Sequence, residues 1–111
     1  MPFATELVGS TVELLVLKLL AERAMYGYEI MQIVHERTAG AFNWKEGTLY
    51  PVLHRLEKQE FLLTEWQRSD TGQQRKYYTL SPQGMAYAQG KAAEWQAFEK
   101  SVNAVLCAPA D

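Results

Sequence analysis

Cysteine and histidine are scarce in this sequence, and their positions exclude several kinds of chemistry. The single cysteine, Cys107, allows no disulfide within the chain, which is typical of a protein from a reducing compartment. This cysteine and the two histidines, His35 and His54, are too scattered for the spacing of a zinc site. A glycine-rich phosphate loop and a nucleophile motif are also missing. We therefore expect no catalytic residues, no metal and no cofactor, and predict that the chain is not an enzyme.

Long apolar runs are absent as well. The most apolar segment, residues 12–20, is interrupted by Glu13 and Lys18 and is too short to span a bilayer. The N-terminus does not combine a basic region, an apolar run and a cleavage site, as a secretion signal does. The sequence therefore predicts a cytoplasmic protein without a membrane partner. Its 111 residues, 48% hydrophobic and 22% charged, are typical of one small globular domain.

Positive charge is concentrated in the middle of the chain. The net charge of the whole sequence is −2, which by itself argues against a nucleic-acid partner. Residues 1–36 carry two cations and five anions, whereas residues 37–76 carry seven cations and five anions. The basic residues therefore surround one short segment whose pattern is that of an amphipathic helix.

This segment, residues 46–58, is predicted to form a helix with one apolar face and one basic face. At about 100° per residue, one side carries four apolar residues, Leu49, Val52, Leu53 and Leu56. The opposite side carries Pro51, His54, Arg55 and Lys58. Because proline is tolerated in the first turn of a helix, we expect the helix to start near Thr48 as its N-cap. Taken alone, the segment is more typical of a solvated helix than of a binding helix.

Two helices are predicted before this segment. The first is expected to start at the capping box Ser10–Glu13 and to end near Ala24. Its apolar residues nearly encircle it, as in a central core helix. The second covers about residues 27–38, and Gly40 supplies its stop. Helix, turn and helix in this order form the skeleton of a DNA-binding motif.

The sequence after residue 59 changes to a period of two residues. Residues 61–66 and 75–80 are strand candidates rich in aromatic side chains, and Asp70-Thr-Gly72 supplies the turn between them. They predict a hairpin with a polar, basic tip. The expected fold is mainly α with a small two-stranded β wing, which is a winged helix-turn-helix.

A long helix is predicted to follow, from Ser81 as N-cap and Pro82 to about Leu106. One of its faces repeats at spacings of three and four residues, with one stutter. This seam consists of Met85, Ala88, Ala92, Trp95, Phe98, Val102 and Val105. We expect a second copy of the chain to cover it; the alternative is that this helix folds back on the first helix. The expected division is a DNA-binding domain over residues 1–80, with an N-terminal arm over 1–9, then a dimerisation helix over 81–106 and a tail over 107–111.

Three stretches and one glycine stand out by their residues: Tyr26-Gly-Tyr-Glu29, Glu46-Gly-Thr-Leu-Tyr-Pro-Val-Leu-His-Arg-Leu-Glu57, Arg75-Lys-Tyr-Tyr-Thr-Leu-Ser81 and Gly84. Together they closely resemble the PadR family of bacterial transcriptional regulators. The resemblance runs from about Val12 to Phe98 and fits the short form with a single C-terminal dimerisation helix. The family usually has a glycine where this chain has Glu60, just before the first wing strand.

The resemblance implies a homodimer that binds a near-palindromic operator in double-stranded DNA, usually as a repressor. It also implies that the helix at 46–58 enters the major groove and that the wing touches the DNA backbone. The fork of Arg55 matches guanine or phosphate, and Lys58 is better suited to phosphate. The candidate DNA-binding residues are Tyr26, Tyr28, Lys45, Thr48, Tyr50, Pro51, His54, Arg55, Lys58, Arg75 and Lys76. Which of them read bases is open at this point.

Trp95 is the candidate for binding an effector. In this subgroup an aromatic residue at the same place stacks flat aromatic compounds, so the resemblance implies a small aromatic effector; the alternative is that Trp95 is plain dimer core. The rival function is a winged-helix adaptor that binds protein and not DNA. The acidic total charge favours the adaptor, whereas the basic helix and wing oppose it.

Overall fold

The fold contains four helices and three short strands over residues 3–109, which are the residues that the computed structural model describes. The elements are α1 (Thr5–Glu22), β1 (Met25–Tyr26), α2 (Gly27–Arg37), α3 (Glu46–Lys58), β2 (Leu62–Arg68), β3 (Gln74–Leu80) and α4 (Pro82–Leu106). This is the predicted winged helix-turn-helix followed by a long helix. Among these described elements, no helix combines the length and apolar character needed to cross a membrane.

The hydrophobic core lies where α1 and α3 meet. Both contribute several buried side chains, namely Val12, Val16, Leu17, Leu19 and Leu20 from α1 and Leu49, Leu53 and Leu56 from α3. Val52, the fourth apolar residue predicted for α3, is half-buried. Fully burying one leucine stabilises a fold by about 1.5–3 kcal/mol relative to exposing it. The three leucines therefore determine which face of α3 is left open.

The sheet has one strand more than the two that the sequence predicts. Strands β2 and β3 form the expected antiparallel hairpin, and β1 adds to the free edge of β3 through the pairs Met25–Tyr78 and Tyr26–Tyr77. A two-residue strand shows no period in the sequence, because alternation needs at least four residues to be visible. The added strand ties the entry of α2 to the wing.

The start of α1 differs from the prediction. The helix begins at Thr5, so Ser10 lies within it and residues 5–9 are not a separate arm. Instead of capping the helix, the Ser10 hydroxyl donates a hydrogen bond of 3.0 Å to the Leu7 carbonyl. Phe3 packs edge-on against Phe42, with 5.6 Å between the ring centroids. This contact holds the segment before α1 against the rest of the domain. No local pattern in the sequence predicts it.

The start of α3 also differs from the prediction. The helix begins at Glu46 with Lys45 in the N-cap position, and Thr48 lies inside the first turn. The backbone amides of Thr48 and Leu49 both donate to the Lys45 carbonyl, at 2.9 and 3.1 Å. Pro51 consequently lies within the helix, where it cannot donate to the carbonyl of Gly47. The expectation of a Thr48 cap was wrong because the earlier first turn places Leu49 in the core.

The end of α3 carries a residue in a backbone conformation that favours glycine. Glu60 has φ = 65°. The Phe61 amide donates to the Leu56 carbonyl at 3.0 Å and the Glu60 amide donates to the Glu57 carbonyl at 2.9 Å, which is the hydrogen-bond pattern of a Schellman cap. The turn at Glu60 therefore has the tight geometry that a glycine would give it. Unlike glycine, Glu60 has a Cβ atom, which makes this backbone conformation strained.

Replacing Glu60 by glycine is expected to raise the free energy of unfolding by about 0.5–1 kcal/mol. A left-handed conformation costs a non-glycine residue roughly 1–2 kcal/mol, and the greater freedom of glycine in the unfolded chain offsets part of that gain. Urea denaturation at fixed protein concentration measures the change. Glu65→Gly is the control, because Glu65 lies in β2, where glycine should destabilise. Equal destabilisation by both substitutions would contradict the prediction.

The two halves of α4 have different environments. The first half packs against α1, and Ala88 is only 8% exposed and belongs to the core of its own chain. The prediction that Ala88 faces a second copy was therefore wrong, since a repeat of three and four residues does not reveal which surface it meets. Met85 and Ala92 lie beside Ala88, along a groove between α4 and α1. The remaining seam residues, Trp95, Phe98, Val102 and Val105, are exposed.

Candidate nucleic-acid interface

A cleft of about 360 Å³ lies between α3, the start of α2 and the wing. Six of the predicted DNA-binding residues line it: Tyr26, Tyr28, Tyr50, His54, Arg75 and Lys76. They come from three separate stretches of the sequence, which the core of the domain brings to one surface. The cleft therefore combines hydrogen-bonding side chains from α3 with cations from the wing.

Gly27 allows α2 and α3 to approach each other at the floor of this cleft. The Tyr50 side chain lies directly over Gly27, so that a Cβ added at Gly27 would stand 2.7 Å from Tyr50 Cζ and closer still to the hydroxyl. The Tyr50 and His54 rings are one helical turn apart, with centroids separated by 6.4 Å. The position of Tyr50 in the cleft thus depends on the missing side chain of residue 27.

Arg75 lies against the aromatic side of the cleft. Its guanidinium carbon is 4.5 Å from the centroid of the Tyr26 ring, and Tyr26 in turn packs edge-on against Tyr77 at 5.3 Å. This cation–π stacking orients the guanidinium without neutralising it. Arg75 makes no ion pair among residues 3–109. Its full charge is therefore available to an anion.

Lys76 is partly neutralised by the protein itself. Its ammonium group donates to the Glu57 carboxylate at 3.0 Å and lies 5.4 Å from the centroid of the Tyr78 ring. Tyr78 is buried in the core, and burial is the main cause that raises the pKa of its hydroxyl, followed by the nearby charge of Glu57. Lys76 therefore connects the wing to α3 and is less available to DNA than Arg75.

Arg55 lies outside the cleft, although the helical projection places it on the same side of α3 as His54. Its guanidinium donates to the Glu13 carboxylate of α1 at 3.2 Å. The other oxygen of that carboxylate accepts a hydrogen bond of 3.1 Å from the Tyr87 hydroxyl of α4. A projection of one helix contains no information on its neighbours, so it could not assign Arg55 to the flank that faces α1.

The remaining predicted contacts of α3 lie near the cleft without lining it. Lys45, Pro51 and Lys58 are exposed, and Thr48 is half-buried. Within the described part of the chain, Lys45 and Lys58 make no ion pair. The open surface of α3 therefore offers two unpaired cations in addition to the cleft.

The chain matches known proteins over most of its length. The sequence profile of the transcriptional regulator PadR-like family matches residues 16–90. The chain belongs to the PadR-like family. An uncharacterized protein of Lysinibacillus sphaericus is 36% identical over 91 residues, which are 82% of this chain and 84% of that protein.

Solved structures of PadR-like regulators and related proteins have the same fold. A transcriptional regulator from Clostridium thermocellum has a TM-score of 0.81 at 32% identity and covers 91% of this chain and 95% of its own. A PadR family transcription regulator from Clostridium difficile has a TM-score of 0.76 at 34% identity and covers 86% and 98%. The PadR-like family consists of transcription regulators that bind DNA and not of enzymes, which assigns the same general function to this chain.

Two exposed residues that sequence reasoning missed line the cleft of this PadR-like protein. Trp66 of β2, directly opposite Lys76 in the hairpin, is 64% exposed, and Gln74 begins β3. A tryptophan close to a hairpin tip is itself a signal, because tryptophan is enriched at interfaces, where its ring supplies apolar contact area and its N–H a hydrogen bond. Among residues 3–109, no three potential metal-ligating side chains lie together.

Proposed function

We propose that this PadR-like regulator binds a near-palindromic operator as a homodimer and represses transcription. The observation that carries the proposal is the cleft, in which Tyr50 and His54 of α3 share one surface with Arg75 of the wing. A helix in the major groove places such side chains near base edges, while a wing cation reaches the neighbouring phosphates. Pro51 and Lys58 on the open side of α3 extend this surface.

The exposed half of α4 supports a dimer. Its apolar residues Trp95, Phe98, Val102 and Val105 are all exposed, and Phe98 is 60% exposed. A contiguous apolar strip of this kind is typical of an interface and not of a free surface. A second copy that packs its own α4 along this strip would present two α3 helices about 34 Å apart, one turn of DNA. A near-palindromic operator matches that symmetry.

DNA binding is expected to weaken steeply with salt. If each copy neutralises about four phosphates, the logarithm of the association constant falls against the logarithm of salt concentration with a slope of about −7. Gel shifts with the DNA upstream of the protein's own gene, repeated over a salt series, measure it. Arg75→Gln should make the slope shallower by about 2, one contact per copy. Lys100→Gln is the control, because Lys100 is an exposed cation of α4 that lies away from the wing and outside the cleft lining.

A dimer that binds no DNA, or binds it independently of salt, would contradict this proposal. In that case the rival function as a protein-binding adaptor would be favoured, because its surface need not release counterions from DNA.

If the protein does bind the fragment, a reporter gene placed behind that fragment separates repression from activation. Higher expression in cells that lack the regulator is the result expected of a repressor.

We further propose that a flat aromatic effector binds beside Trp95. A mainly apolar groove of about 280 Å³ lies between α1 and α4, with Trp95, Phe98 and Leu14 in its wall. The rings of Trp95 and Phe98 are 6.1 Å apart and tilted by 39°, so they do not stack on each other, and both residues are exposed. Such a ligand changes operator affinity only if it binds the DNA-bound and free arrangements unequally.

Quenching of tryptophan fluorescence by planar drugs or phenolic acids tests the effector. Binding should be lost in Trp95→Ala and retained in Trp66→Phe, which removes a second exposed tryptophan that lies outside the groove. Equal quenching of the wild type and Trp95→Ala would contradict the assignment. Trp95 would then be part of the dimer core alone.

A further inference from the structure

One hydrogen-bonded network joins the three helices that matter for operator recognition. Glu13 of α1 accepts from Arg55 of α3 through one carboxylate oxygen, at 3.2 Å, and from Tyr87 of α4 through the other, at 3.1 Å. The three residues are separated by 42 and 74 positions in the sequence. The network therefore exists only because the fold brings α3 and α4 together at Glu13 of α1.

Glu13 is partly buried, so losing its hydrogen bonds should cost more free energy than breaking an ion pair at the surface. The Glu13 side chain is 21% exposed, and it follows Val12, which is buried in the core. A carboxylate in such a place needs hydrogen-bond donors, because burying an unpaired charge is costly. Arg55 and Tyr87 are the two donors that the described residues supply. Removing either of them leaves Glu13 only partly satisfied.

Tyr87 connects the same carboxylate to the end of α3 by a second route. Its ring stacks on Phe61 at 4.2 Å with 11° between the planes, and Phe61 follows directly after the cap of α3. Burial raises the pKa of the Tyr87 hydroxyl, and the hydrogen bond to Glu13 adds to the increase. The hydroxyl therefore stays protonated and donates at neutral pH. Both routes therefore connect the C-terminal end of α3 to the same residue of α4, since Arg55 lies in the last turn of α3 and Phe61 follows its cap.

We propose that Glu13 is a positioning residue that fixes α3 relative to α4 through the hydrogen bonds that it accepts from Arg55 and Tyr87. The inference rests on the proposed function, since α4 carries the dimer surface and α3 the DNA-reading surface. In a dimer, the angle between α3 and α4 determines the separation of the two α3 helices. Glu13 would therefore determine which spacing of operator half-sites is bound best, and Arg55 acts as a tether in place of a base contact.

The test uses operator spacing as its readout, because loss of general stability does not change which spacing is preferred. The operator is first selected with the wild-type protein from a pool of random DNA duplexes. Its centre is then shortened or lengthened by one and by two base pairs, and the dissociation constant of each duplex is measured at one salt concentration. The variants are Glu13→Gln and Tyr87→Phe, which change a few atoms each.

A matched control comes from the same helix. Glu22→Gln removes the carboxylate that accepts two hydrogen bonds from Arg37, at 2.7 and 3.0 Å, and this pair joins α1 to α2 and not to α4. We expect Glu13→Gln and Tyr87→Phe to reduce the preference for the wild-type spacing by about threefold or more. Glu22→Gln should leave the preference unchanged. Tyr87→Phe keeps the stacking on Phe61 and carries the test if Glu13→Gln does not fold.

Three outcomes would overturn the inference, and each is distinct. An unchanged spacing preference in both variants, with DNA still bound, refutes the positioning role and leaves the proposed function intact. A loss of affinity in Arg55→Gln that adds fully to that of Glu13→Gln would instead make Arg55 a direct DNA contact, since coupled residues are not additive. If the wild type enriches no sequence from the pool, the proposed function fails and the inference fails with it.

Discussion

Gly84→Ala is expected to destabilise the protein by about 3 kcal/mol, although alanine is the better helix former. Gly84 lies in the first turn of α4, where a Cβ would stand 2.9 Å from the Phe61 carbonyl carbon and closer still to its oxygen. That carbonyl cannot move freely, because it accepts a hydrogen bond of 3.0 Å from the Ser81 amide. The Ser81 hydroxyl holds the neighbouring residue too, through a bond of 2.7 Å to the Glu60 carbonyl.

Gly90→Ala is the matched control for this prediction. Gly90 lies in the same helix, but a Cβ there would meet no atom within 4 Å. Without a clash, the higher helix propensity of alanine should stabilise the protein by about 1 kcal/mol. Urea denaturation at equal protein concentration therefore should move the two midpoints in opposite directions. A Gly84→Ala variant as stable as Gly90→Ala would show that α4 can shift away from Phe61 at no cost.

The elements that have a regular spacing of apolar residues or a clear capping residue were predictable from the sequence. Leu49, Leu53 and Leu56 recur at helical spacing, and they are the buried face of α3 in the structure. The side chain of Ser81 accepts from the Gly84 amide at 3.0 Å, as an N-cap does, and α4 starts at Pro82 as predicted. These signals are local, since the residues that produce them lie within one or two turns of each other.

The features that were missed depend on contacts between distant residues. Strand β1 consists of two residues and exists because the edge of β3 is within reach of Met25. The start of α3 at Glu46 contradicts the local preference of Pro51 because the burial of Leu49 outweighs it. Local propensity is a weak preference that packing overrides. Neither the strand β1 nor the start of α3 at Glu46 could therefore be predicted from the neighbouring residues alone.

The candidate site was predictable as a set of residues but not as an arrangement. The resemblance and the basic pattern together gave six of the residues that line the cleft. They could not separate Arg75, which keeps its full charge, from Lys76, which is paired with Glu57 at 3.0 Å. Nor could they separate His54 from Arg55, which is its neighbour in sequence and faces α1. Those distinctions are decided by partners from other elements.

Gly27→Ala is expected to weaken operator binding about thirtyfold while leaving the fold intact. The three atoms nearest to the added Cβ all belong to the outer part of the Tyr50 side chain, with 2.7 Å to Cζ and 3.0 Å to Cε1. The end of a side chain can rotate away, so the tyrosine should leave the cleft and the backbone should stay. One lost hydrogen bond of about 1 kcal/mol in each of two copies corresponds to roughly that factor in affinity.

Gel shifts with the selected operator measure this loss, and thermal melting checks the fold. Gly9→Ala is the control, because Gly9 lies in α1 and a Cβ there meets nothing within 4 Å. The double variant Gly27→Ala/Tyr50→Ala decides the mechanism. If Gly27 acts only by seating Tyr50, the double variant should bind no worse than Tyr50→Ala alone, because the two changes remove the same contact. Fully additive losses would mean that the backbone at Gly27 itself approaches the DNA.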